Sequence, residues 1–120
     1  MKTVLVVDDE MDIAEAVKSI LEDEGYKVIT CANGREALDC LAEARPDLAI
    51  IDVMMPVMNG FETLQAIRNT EAFASLPVLI MSAIDPSVRP QTYDWAGFLK
   101  KPFSLDSLLK QVHRLAPLAA

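Results

Sequence analysis

The stretch Thr3-Val4-Leu5-Val6-Val7-Asp8-Asp9-Glu10 decides how the rest of the chain is read. Val4 to Val7 are apolar without a break. A short unbroken run of this kind is the pattern of a strand covered on both faces, since a half-wet strand would alternate. The run ends abruptly in three consecutive acids. Ile13, Val17, Ile20 and Leu21 then recur at helical spacing, and Gly25 closes the helix. The first 25 residues therefore predict one strand followed by one helix.

The unit repeats. Lys27–Cys31 is rich in β-branched residues and predicts a second strand. Asn33-Gly34 turns the chain into a helix carrying Ala37, Leu38 and Leu41. Leu48–Val53 is a third apolar run. Phe61, Leu64 and Ile67 stripe the helix after Gly60. Pro77–Met81 is a fourth run and Phe98-Leu99 a brief fifth. Leu105, Leu108, Leu109 and Val112 line a final helix, with Ser104 as its N-cap. Such alternation predicts an α/β fold, a five-stranded parallel sheet with helices on both faces. One stretch conforms poorly. Asp85–Ala96 should hold the fourth helix, but Pro86 and Pro90 allow only a short or distorted one, because a proline inside a helix costs roughly 3 kcal/mol.

Composition limits the function classes. The 120 residues carry 18 acidic and 11 basic side chains, a formal net charge of −7, and 52% are hydrophobic. The length and apolar fraction predict one compact domain of 1–120, with a core of about 3–115 and a tail of 116–120. No apolar run is long enough for a membrane span. The N-terminus lacks a signal-peptide pattern, and the two cysteines, Cys31 and Cys40, form neither a disulfide framework nor a zinc spacing, so they read as packing residues in a cytoplasmic protein. The acidic balance argues against nucleic acid as a direct partner. The charge is lopsided: residues 1–60 hold 13 acids and 5 bases, residues 61–120 hold 5 acids and 6 bases.

In a parallel sheet, sites form at the carboxyl ends of the strands. Reading those ends in order yields Asp8-Asp9-Glu10, then Asp52, then Ser82, then Lys100-Lys101-Pro102. Packed carboxylates repel one another, and a hard divalent cation such as Mg²⁺ removes that conflict. A lysine offers charge to an anion and a serine offers a hydrogen bond. Together they describe a phosphoryl-transfer site with an aspartate nucleophile. The plainer readings are a solvated helix cap for Asp8-Asp9-Glu10, a structural aspartate at Asp52, a cap at Ser82 and surface charge at Lys101. Glu10 reads as a helix-start residue, His113 as a surface or helix-end residue, and Trp95 as either core or a partner contact.

The ordered set Val4-Leu5-Val6-Val7-Asp8-Asp9-Glu10, Pro46-Asp47 through Asp52 to Pro56-Val57-Met58-Asn59-Gly60, Ser82-Ala83 and Lys101-Pro102-Phe103 resembles the receiver domains of two-component response regulators. The resemblance runs from Val4 to about Leu115. It implies a flavodoxin-like, doubly wound sheet of order 2-1-3-4-5 and a signalling switch rather than a conventional enzyme. It implies that Asp52 is the phosphoacceptor and that Asp9 and Asp52 bind Mg²⁺ directly. Asp8 helps through water, and the Met54 backbone carbonyl completes the protein ligands. Lys101 pairs with the phosphoryl group, Ser82 moves to bond it, and Phe98 holds the aromatic switch position. Met54 and Ile84 flank the attacking water and set the lifetime of the phosphorylated state. Lys101-Pro102 is expected to be cis. The implied partners are a sensor histidine kinase or histidine phosphotransfer protein, and a downstream protein target on the 83–115 face, with the chain a monomer or a phosphorylation-dependent dimer. A pseudo-receiver that is never phosphorylated and a small Mg²⁺-dependent phosphohydrolase are the alternatives. The second is disfavoured because Met54 stands where a second catalytic aspartate is expected.

Overall fold

The apolar runs fold here as the strands that the periodicity predicts. The computed structural model describes residues 1–55, 57–83 and 95–118. The strands are β1 (Thr3–Val7), β2 (Lys27–Cys31), β3 (Leu48–Asp52), β4 (Val78–Ser82) and β5 (Gly97–Lys100). The α-helices among the described residues are α1 (Met11–Asp23), α2 (Gly34–Ala44), α3 (Gly60–Arg68) and α4 (Leu105–Leu115), with a 3₁₀ turn at Glu71–Phe73. All strand pairs are parallel, in the order β2-β1-β3-β4-β5. The expected irregular crossover after the fourth strand falls largely in 84–94, outside the described residues.

The sheet divides two cores by alternation. Val4, Val6, Leu48, Ile50, Leu79 and Met81 pack on one face with Val17 and Leu21 of α1 and Leu108 and Val112 of α4. Leu5, Val7, Ala49, Ile51, Val78 and Ile80 pack on the other with Leu41 of α2 and Leu64 and Ile67 of α3. Burying each of the Val, Leu, Ile and Met side chains contributes about 1.5–3 kcal/mol, so the central strands carry much of the stability. Trp95 belongs to the second core and is tilted against Phe61, with ring centroids 5.8 Å apart. It is therefore a core residue. Ala116, read as the start of the tail, is buried, and its carbonyl accepts a 2.8 Å hydrogen bond from the Tyr26 hydroxyl.

Two devices fix the carboxyl edge of the sheet. Asn59 and Glu62 form a reciprocal capping box at the start of α3, each side chain accepting the other's backbone N–H at 2.9 Å. At Gly60, an added Cβ would lie 2.5 Å from the Asp52 carbonyl oxygen and 2.8 Å from the Val53 Cα. Only glycine lets α3 begin that close to the end of β3.

Candidate functional site

Register brings the acids together. β1 and β3 pair as Val7↔Ile51, so Asp8 and Asp52 follow side by side at the same edge. Both are buried, Asp8 at 0% and Asp52 at 2% exposure, which is unusual for carboxylates without a partner. The partner is Lys101. It leaves the end of β5, held by its backbone N–H to the Ser82 carbonyl at 2.8 Å and followed by a cis bond to Pro102. Its ammonium reaches Asp8 Oδ2 at 2.9 Å, Asp52 Oδ1 at 3.2 Å and Glu10 Oε1 at 3.4 Å.

Among the described residues, the Lys101 ammonium faces three carboxylates and does not balance them. Burial pushes the Asp52 carboxyl up to about 6, and the Asp8 charge adds to this, while Lys101 only partly opposes it. For Lys101, burial works against the ammonium, but the hydrogen bond to Asp8 and the Asp52 charge outweigh it and hold its pKa above the usual value. The pocket is thus short of positive charge. Carboxylate oxygens of Asp8, Glu10 and Asp52 lie within 4.8 Å of one another. An all-oxygen, partly buried donor set of this kind fits a hard divalent cation such as Mg²⁺.

Most of the residues singled out from the sequence meet at this edge. Ser82 is buried at the end of β4, and Asp52 pairs with Met81 in register one position before it. Phe98 is half-buried beside the second core, in register with Ile80. Asp9 is exposed and stands outside the three-carboxylate cluster, although its charge still acts on Asp52. The Met54 side chain is exposed two residues beyond Asp52. Ile84 lies outside the described residues. Glu10 stands at the N-cap position of α1 as the helix-start residue read from the sequence, without a side-chain capping bond, and its carboxylate instead joins the cluster. Its backbone N–H donates to Asp8 Oδ1 at 2.9 Å, a local turn in which Asp8 folds the chain back over itself. The Asp-x-Glu spacing was the available signal for it.

Residues 4–113 match the response regulator receiver domain. The chain is 39% identical over 115 residues to the response regulator MprA of Mycolicibacterium vanbaalenii, covering 93% of this chain and 49% of that protein. It thus spans about half the length of the curated relatives it matches. Among solved structures, the Vibrio cholerae chemotaxis protein CheY4 is 39% identical with a TM-score of 0.90, covering 96% of this chain and 98% of that one. The receiver domain of the Francisella response regulator 1452 is 32% identical with a TM-score of 0.85, covering 96% of each chain.

Proposed function

The chain belongs to the response regulator receiver domain family, and on that premise we propose that Asp52 is the phosphoacceptor of this phosphorylation-dependent two-component switch. The observation that carries the assignment is the Lys101 ammonium shared between two buried carboxylates at the carboxyl edge of a parallel sheet.

With a pKa of about 6, Asp52 is ionised at neutral pH and nucleophilic. One of its oxygens attacks the phosphorus of a phosphohistidine on a sensor kinase or phosphotransfer protein. The P–N bond breaks, and the imidazole leaves with the bonding electron pair. Lys101 then exchanges part of its pairing with Asp8 and Asp52 for the new phosphoryl oxygens. The Ser82 hydroxyl donates to the same group, and Phe98 follows it as the switch. Asp8, Asp9 and Asp52, with the Met54 carbonyl, would hold Mg²⁺, and the position of Glu10 adds it to the acids available for that role. When bound, the ion supplies charge neutralisation between the carboxylates and the incoming phosphoryl oxygens. Met54 and Ile84 shield the acyl phosphate from water and lengthen its lifetime. Output passes to a protein target through the 83–115 face. The protein works in the cytoplasm, as a monomer or a phosphorylation-dependent dimer, and turns over no external substrate.

The test is intact-mass measurement after incubation with Mg²⁺ and acetyl phosphate. A single adduct of about 80 Da, absent from Asp52→Asn, supports the assignment. No adduct under conditions that modify a control receiver would mean a pseudo-receiver.

A further inference from the structure

The chain has two cysteines, nine positions apart in sequence, and the fold brings them into contact. Cys31 ends β2 and is buried, while Cys40 lies on α2 and is partly exposed. Their sulfurs are 3.3 Å apart, and the Cys40 thiol also approaches the Ala37 carbonyl at 3.6 Å. The junction between them is well held. The Asn33 side chain caps α2 by accepting the Glu36 N–H at 2.9 Å, and the Glu36 carboxylate accepts the Ala32 N–H at 3.0 Å. Strand and helix are thus locked in the arrangement that keeps the two sulfurs facing each other.

We propose that Cys31 and Cys40 are a reversible dithiol–disulfide site, oxidised by hydrogen peroxide. Burial, with the neighbouring Cys40, pushes the Cys31 thiol up to about 12, which leaves the more exposed Cys40 to react first. The Cys40 sulfur attacks one peroxide oxygen, the O–O bond breaks, and the thiol proton leaves with the departing oxygen as water. The resulting sulfenic acid lies against Cys31. The Cys31 sulfur then attacks the Cys40 sulfur. The S–O bond breaks as the S–S bond forms, and the Cys31 proton leaves with the hydroxyl as a second water. Two electrons pass from the thiols to the peroxide. Closing the bond draws the sulfurs from 3.3 Å to about 2.05 Å, pulling α2 onto the end of β2. That end touches the acidic pocket, because the Cys31 carbonyl accepts the Asp8 N–H at 3.0 Å.

The experiment treats the folded full chain with hydrogen peroxide, then measures free thiols, tryptic peptides and melting. Trypsin cuts after Arg35, between the two cysteines. The expected result is loss of both thiols, a mass about 2 Da lower, and peptides beginning at Val28 and Glu36 that stay joined until a thiol reductant is added. The oxidised chain should remain monomeric and melt no lower than the reduced chain. Cys40→Ser, changed at the more accessible position, should form no such linkage. Over-oxidised single cysteines, intermolecular dimers, linkage formed only in urea, or a lower melting temperature would each overturn the proposal.

Discussion

Replacing Asp52 by asparagine should make the protein more stable while abolishing its ability to be phosphorylated. The Asp52 carboxyl is raised from 3.8 to about 6 in the folded chain, chiefly by burial and then by the Asp8 charge. The fold therefore keeps a proton that the unfolded chain has already released, and stability falls as pH rises from about 4 to about 6. Above that window the ionised carboxylate costs about 3 kcal/mol, at roughly 1.4 kcal/mol per tenfold change. Asparagine has nearly the same shape and no charge, so Asp52→Asn should gain about 1–3 kcal/mol at pH 7.5 without Mg²⁺. For a domain of this length, that is a melting temperature higher by roughly 4–12 °C. Urea unfolding followed by the fluorescence of Trp95, the chain's single and buried tryptophan, measures it. The gain should shrink steadily as pH falls from 6 toward 4, and vanish only below about pH 3, where the wild-type carboxyl is protonated in both states. Saturating Mg²⁺ should stabilise the wild type much more than the variant and narrow the gap. A variant that is less stable at pH 7.5, or a difference that ignores pH, would refute this account of the pocket.

At saturating Mg²⁺, phosphoryl uptake from acetyl phosphate should fall tenfold per pH step once Asp52 takes up a proton, with a midpoint below about 6 because the cation opposes the burial that raises the carboxyl, and the protonated Asp52 is a poor nucleophile. Initial rates between pH 4.5 and 8 check this, and Lys101→Met should move the midpoint upward by removing the ammonium whose charge and hydrogen bond hold Asp52 down. Gly60→Ala should lower stability by about 2–4 kcal/mol in urea titration, since its Cβ meets the Asp52 carbonyl and the Val53 backbone. Val57 sits at φ 70, a region that β-branched residues avoid, and is exposed, so Val57→Gly should raise stability by about 1 kcal/mol on the same assay. Met54→Asn combined with Ile84→Glu should speed loss of the phosphoryl group severalfold by admitting and polarising water, as followed by decay of the mass adduct.

The strands were legible because a sheet covered on both faces leaves unbroken apolar runs such as Val4–Val7 and Leu48–Ile51. Their ends shifted by a residue at Val53, Pro77, Ser82, Gly97 and Lys100, where pairing, not side-chain type, sets the limit. The 3₁₀ turn at Glu71–Phe73 carries no apolar stripe long enough to betray it. Asp8, Asp52, Ser82 and Lys101 were legible as strand-end polar residues following apolar runs. For Glu10 the Asp-x-Glu spacing alone was too weak a signal, because its part in the cluster depends on how Asp8 folds the following backbone. Trp95 could not be assigned before the packing against Phe61 was known. The contact between Cys31 and Cys40 depends on the angle at which α2 leaves β2, which no spacing rule encodes.

The position of the phosphoryl group is the most direct measurement. The protein would be phosphorylated with acetyl phosphate and Mg²⁺, the acyl phosphate reduced with borohydride to the corresponding alcohol, and the peptides sequenced by mass spectrometry. The expected result is homoserine at position 52 alone. Reduction at Asp8, Asp9 or Glu10, a stable ester on Ser82, or no modified residue at all would contradict the assignment of Asp52 as phosphoacceptor.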